Sequence, residues 1–414
     1  MRAVCFVKRL EFDVCGNVFP NALRLGDVNN DGNHELVVGN VDGDLIIFKQ
    51  DMIWQTFSNL GMITSVIIGD IFSCGRNAVI VVCGDGWCHI LFAWQQASEG
   101  IDGSNSGKLE IVHVQRIPAN TKVALLGDID GDGNNELVLG LTDRVVRSYR
   151  WVRQDGEGSR PDLGKLVGLN KWECASQIGT VTIHHSPEGS TSLLVAQPGG
   201  TLMKIHCHYP ATGEIEESYS EELTSTSIDY HPLSLSHMRN PNVSTEIVGD
   251  VRPPDNAKEG STMRYAVATL DGTLMLVQNE DILWSIQVDH QLFALTKLYM
   301  TDGEGNGDNI IACSWDGQTY ILDQEKRSVR FQLEESVRAF CSGLYNLKPN
   351  QPATPCLVYT TFTNKVYIYY DVKIPSMVAR SSGPRLDVGL PNQTEEDKKR
   401  ARRLTEWCLY GKRT

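Results

Sequence analysis

The sequence predicts an all-β protein, a seven-bladed β-propeller, and three observations carry that prediction. A hairpin pattern recurs seven times along 414 residues. The shortest repeat spacings fall in the mid-forties, the length of a four-stranded blade. One apolar stretch at the N-terminus belongs to no repeat, which is what a ring needs if its last sheet is to be closed. The composition agrees: 41% hydrophobic and 21% charged, with 37 Gly and 16 Pro, excludes collagen-like and wholly disordered chains and allows a sizeable core.

Each hairpin is an apolar strand, a two-residue turn of Gly, Asp or Asn, and a second apolar strand. The copies are ELVVGNVDGDLIIF (35 to 48), AVIVVCGDGWCHILF (78 to 92), ELVLGLTDRVVRSY (136 to 149), SLLVAQPGGTLMKI (192 to 205), YAVATLDGTLMLV (265 to 277), IIACSWDGQTYIL (310 to 322) and CLVYTTFTNKVYIYY (356 to 370). Measured between turn markers from Asp42 to Asn364, the spacings are 43, 58, 56, 72, 45 and 48 residues. The longer ones hold polar insertions at 95 to 108, 153 to 165, 210 to 222 and 253 to 261, all of loop composition.

A further β-rich stretch precedes most hairpins: 22 to 27, 64 to 70, 122 to 128, 244 to 250, 292 to 298 and 337 to 345. These are expected to be the innermost strands. CFVKRLEFDV (5 to 14) is expected to pair with VYIYY (366 to 370) and close the ring, because unpaired first and last blades would leave open sheet edges. The domain division is then a propeller over 1–370, followed by a linker and C-terminal helical tail over 371–414. In the tail Thr394 and Asp397 resemble a capping box, and Ala401, Leu404 and Trp407 recur at threefold spacing beside the basic run KKRARR (398 to 403). That run reads as the solvated face of a short docking helix.

Lys plus Arg is 38 against 51 for Asp plus Glu, a formal charge of −13, which argues against nucleic acid as a ligand. The opening MRAVCFVKRLEF has no apolar block of signal-peptide length, and no apolar run reaches the roughly 18 residues needed to span a bilayer. A soluble, cytoplasmic protein is expected. The 11 cysteines lack any CxxC pair and read as reduced thiols, mostly in core strands.

The motif that carries chemistry is an acidic loop that occurs twice. GDVNNDGNHELVVG (26 to 39) is echoed by GDIDGDGNNELVLG (127 to 140). Every second position offers an oxygen: Asp27, Asn29, Asp31, Asn33 and Glu35 in the first loop, Asp128, Asp130, Asp132, Asn134 and Glu136 in the second. A hard cation such as Ca²⁺ takes six to eight oxygens at about 2.3 to 2.6 Å, and a turn with Gly at its sixth position, here Gly32 or Gly133, can wrap them round it. Neither loop is an EF-hand, because position twelve is Val38 or Leu139 rather than Glu. Two structural calcium sites are therefore expected, the second tighter for its extra carboxylate. The bland alternative is that the acids cap turn amides without metal. GDIFSCGRNA (69 to 78) in blade two lacks the acids after Asp70 and is expected to hold none.

A GD-x-[DN]-x-DG-xx-EL-V-x-G loop joined to propeller hairpins resembles the FG-GAP repeats of the integrin α-subunit head, a seven-bladed propeller with calcium on blade loops. The similarity covers residues 1 to about 370, without the Gly-Ala-Pro triplet, signal peptide or transmembrane helix of integrins, so extracellular ligand binding is not carried over. More closely, residues 120 to 151, NVSTEIVGD (242 to 250), LWSIQVDHQLFAL (283 to 295), ACSWDGQTYILD (312 to 323) and 356 to 370 identify the chain as a member of the family of integrin-α FG-GAP repeat-containing subunits of the KICSTOR complex. That resemblance implies a non-enzymatic scaffold. It implies a peripheral place at the lysosomal membrane surface, where KICSTOR holds the GATOR complex that inactivates Rag GTPases and so restrains TOR-complex signalling under amino-acid or glucose starvation. It also implies two partners, kaptin and a very large scaffold subunit.

An enzyme would need a nucleophile, base or cofactor loop, and no GxSxG, GxxxxGK[ST], HExxH or strand-linked GxGxxG occurs. The competing class is a metal-dependent propeller hydrolase, which would need carboxylates and histidines converging at the channel mouth. An unrelated adhesion or cytoskeletal interaction module is the third reading. His184 and His185, and His206 and His208, lack further ligands at metal spacing. The longest departure from the repeat, about 207 to 240, is the first suspect for a partner-binding insertion.

Overall fold

A computed structural model describes residues 2–94, 107–154, 160–186, 189–208, 225–232, 242–254, 262–300, 307–349 and 351–374. They form seven sheets, six of four antiparallel strands and one with a fifth strand added, a seven-bladed β-propeller. Blade one runs outward through Val18–Gly26, Glu35–Asn40, Leu45–Lys49 and Met52–Phe57, and blades two to six repeat that order. The first strands of successive blades pack side by side round the ring, from Val18–Gly26 through Ile63–Gly69, Thr121–Gly127, Val181–His185, Thr245–Val251 and Leu292–Met300 to Val337–Tyr345. They include all six stretches expected to be innermost, together with Val181–His185 of blade four.

The second strand of each blade is enclosed on both faces. Glu35–Asn40, Ala78–Cys83 and Glu136–Leu141 are buried at every position, which explains their continuous apolar runs. The turn to the third strand needs a residue at positive φ. Gly86 (φ 94°) and Gly317 (φ 88°) supply it, and a Cβ there would meet the carbonyl oxygens of Ile117 and Leu333 at 2.4 and 2.3 Å. Arg144 and Asn364 take the same place in blades three and seven.

Ring closure follows the expected pairing. Arg9–Asp13 lies antiparallel to Lys365–Tyr370, Leu10 opposite Ile368, as the outermost strand of blade seven. Phe12 packs its ring on Phe48 of blade one, centroids 4.6 Å apart. The chain before it does something the sequence did not suggest: Arg2–Ala3 pairs in parallel with Ser328–Gln332 as a fifth strand of blade six. Two residues show no periodicity, so nothing in the pattern could signal this. Of the suspected insertion, Ser225–Pro232 is the outer strand of blade four, paired with Thr201–His208. The rest of that insertion, and the helical tail from residue 375 onward, lie outside the described residues. Seven cysteines, Cys83, Cys88, Cys174, Cys207, Cys313, Cys341 and Cys356, are buried free thiols. Among the described residues no helix is long and apolar enough to cross a membrane.

Candidate functional site

Both acidic loops link the innermost strand of a blade to its second strand. In blade three Asp128 turns back on its own loop, its two oxygens accepting from the amides of Gly131 (2.7 Å) and Gly133 (2.9 Å). Asp27 does the same in blade one with Asp31 (3.2 Å) and Gly32 (2.9 Å). The acid at position nine opens the second strand and is fully buried. Glu136 Oε2 accepts from the Ile129 amide at 3.0 Å, and Glu35 Oε2 from that of Val28 at 3.2 Å. Burial pushes both carboxyls up to about 7, against the opposing pull of those amides and of a neighbouring cation.

The cation is a side chain of the third strand. Arg150 stands opposite Glu136 in the ladder. Its guanidinium lies 2.6 Å from Glu136 and 2.8 Å from each of Asp130 and Asp132. In blade one Lys49 Nζ lies 2.5 Å from Asp31 and 2.9 Å from Glu35 Oε1. Burial resists the ionisation of Asp31, but Lys49 and the Asn33 amide outweigh it and its pKa is lowered. The asparagines support carboxylates: Asn29 and Asn33 donate to Asp31, and Asn134 donates to Asp132.

The folded chain thus gathers Asp27, Asp31 and Glu35 on one side, and Asp128, Asp130 and Glu136 on the other, each set with carboxylate oxygens within 4.8 Å of one another. In blade three every carboxylate oxygen of the four acids already has a partner within the chain. In blade one Asn29 Oδ1 is buried without a hydrogen bond, while Glu35 Oε1 takes no hydrogen bond but has the Lys49 ammonium beside it. The carboxylates of both loops are turned onto the chain's own amides and onto Lys49 or Arg150, so the residues as arranged do not present the six to eight oxygens of a calcium shell.

The channel offers a second place to look. A cavity of about 440 Å³ between the innermost strands is bordered by Phe19, Arg24, Met62, Lys122, Glu246 and Phe293, among others. Arg24 donates to the Val66 carbonyl and Lys122 to that of Ile178. Burial pushes Glu246 up to about 7, opposed by Lys122 and Thr180. At the other end Asp250, the GD acid of blade five, reaches blade four instead of its own loop. It accepts from the His185 amide (2.8 Å) and imidazole (2.6 Å), with His184 at 3.4 Å. Burial opposes the ionised form of Asp250, but these contacts prevail and hold it at about 2. Sequence reading missed this cluster because its members lie 65 residues apart on different blades.

Comparison with known proteins gives a consistent picture. The family model described as "Integrin-alpha FG-GAP repeat-containing protein 2" matches residues 48–374. A mouse protein named "KICSTOR complex protein ITFG2" is 42% identical over 391 residues, 91% of this chain and 87% of its own length. The cattle protein of the same name is 40% identical over 400 residues, covering 91% and 73%. Among solved structures, BBS1N in complex with ARL6DN matches with a TM-score of 0.57 at 14% identity, over 91% of this chain and 100% of that one. Sqt1 of Saccharomyces cerevisiae matches at 0.51 and 10% identity, over 84% and 83%. These two are similar in fold alone.

Proposed function

The chain belongs to the integrin-alpha FG-GAP repeat-containing protein 2 family, and on that premise we propose that it is a non-enzymatic scaffold subunit of a KICSTOR-like complex. One observation carries the reading. Identity of 42% to a protein bearing that complex's name extends over 91% of the chain, so the likeness is one of the whole ring and not of a single loop. A propeller suits such a role, because its rigid blades hold turns and outer strands at fixed angles for other subunits to grip.

At finer grain, the protein acts peripherally at the lysosomal membrane through its partners, a kaptin-like propeller and a very large scaffold subunit. The assembly recruits the GATOR complex and restrains TOR-complex signalling when amino acids or glucose run short. The test is affinity purification of the tagged full chain from fed and starved cells, with mass spectrometry of stoichiometric partners. Recovery of the kaptin-like and scaffold subunits together with GATOR is the expected result. A chain recovered alone in both conditions would overturn the reading and return attention to the channel, where Glu246 and Lys122 would be the first residues to test for an activity.

A further inference from the structure

We propose that Lys49 and Arg150 are the resident cations of the two acidic loops, so that both loops keep their shape without calcium. Arg150 bridges Asp130, Asp132 and Glu136 at 2.6 to 2.8 Å, and Lys49 bridges Asp31 and Glu35 at 2.5 and 2.9 Å. A tethered cation is always at hand, and Ca²⁺ would have to displace it from those same oxygens.

In blade three the position-nine acid faces Arg150 across the ladder, and in blade one the corresponding register sets Glu35 against Lys49. The same ladder position is Ala78 beside Phe92 in blade two, Ser192 beside His206 in blade four, Arg264 beside Gln278 in blade five, Asn309 beside Asp323 in blade six, and Cys356 beside Tyr370 in blade seven. Blades one and three alone pair an acid with a Lys or Arg at this ladder position. A loop evolved round a metal would need the acid but would have no use for a cation opposite it.

The first acid of the loop works without the others. Asp70 of blade two accepts from the amides of Cys74 (3.0 Å) and Gly75 (2.6 Å), four and five residues on, as Asp27 does with Asp31 and Gly32. Blade two has Phe72, Cys74 and Ala78 where the other loops have oxygens. The turn therefore forms from its capping acid alone.

The experiment uses the full chain. Melting temperature is measured in calcium and in chelator, alongside Tb³⁺ luminescence with Ca²⁺ as competitor; Trp54, whose ring centre lies 5.3 Å from Lys49 Nζ, is placed to sensitise the blade-one loop. The parent is expected to melt identically in both buffers and to give no luminescence that Ca²⁺ removes. Arg150→Gln and Lys49→Gln free the carboxylates and are expected to gain a calcium-dependent rise of a few degrees, whereas Arg150→Lys and Lys49→Arg stay insensitive. A calcium shift or a competed Tb³⁺ signal in the parent overturns the proposal, and that measurement decides even if a variant fails to fold. Folded Gln variants that remain insensitive to calcium overturn it as well, since the cations would then not be what occupies the site.

Discussion

Glu136 and Arg150 stand directly opposite each other on neighbouring strands of blade three, a fully buried carboxylate 2.6 Å from the guanidinium. Removing Arg150 strips Glu136, Asp130 and Asp132 of the cation they share. Arg150→Met is expected to cost about 3 kcal/mol, and adding Glu136→Gln to recover part of it, because the second change withdraws the stranded charge. Urea unfolding of the parent, both single variants and the double variant gives the coupling. Strictly additive costs would show that the pair is incidental to the blade.

Asp128 and Asp70 each cap their loop by accepting from two backbone amides three to five residues on, although only the first sits among other carboxylates. Asp128→Ala and Asp70→Ala should therefore each lower stability by about 1 kcal/mol, the usual cost of orphaned turn amides. Melting curves with and without calcium should show the same loss for both. A loss at Asp128 that appears only in calcium would instead mean that the acid is a metal ligand.

Much of this architecture was legible in the residues. The period, the turn dipeptides and the GD-terminated stretches placed the blades, because every blade buries its second strand and the burial writes an apolar run. The acidic loops were legible as clusters but not as ion pairs. Lys49 and Arg150 each follow their acid by fourteen residues, as Phe92 follows Ala78. That spacing acquires meaning only when the hairpin register sets them side by side. Asp250 with His185, and Arg2–Ala3 on blade six, depend on neighbouring blades and leave no local trace.

The N-terminal strap makes a prediction about closure. Arg9–Asp13 covers the edge of Lys365–Tyr370, Phe12 reaches blade one, and Phe6 packs at a tilt against Phe331 of blade six, centroids 5.0 Å apart. Deleting residues 1–14 should lower the melting temperature by several degrees and expose an edge strand to pairing between chains. Phe12→Ala, half-buried in the same contact, should cost about 2 kcal/mol with the edge still covered. Light scattering separates the two: self-association is expected of the deletion and not of Phe12→Ala.

Glu246 gives the fold a pH dependence whose sign can be worked out. It lies on an innermost strand facing the channel, where burial raises its pKa from the ordinary 4.5 to about 7 against the pull of Lys122 and Thr180. The native state then holds this proton more tightly than the unfolded chain does. Its contribution to stability is fully present below about pH 4.5, is lost as pH rises towards 7, and is constant beyond that. Glu246→Gln carries no such slope. Relative to the parent it should gain about 1 to 2 kcal/mol between about pH 5.5 and pH 8. Glu35 and Glu136 shift in the same direction, so the parent curve alone cannot isolate the channel residue, and the difference between parent and variant is the quantity to measure. Denaturant midpoints for both proteins at the two pH values supply it. A constant difference would mean that Glu246 is solvated in the channel and titrates as an ordinary surface carboxylate.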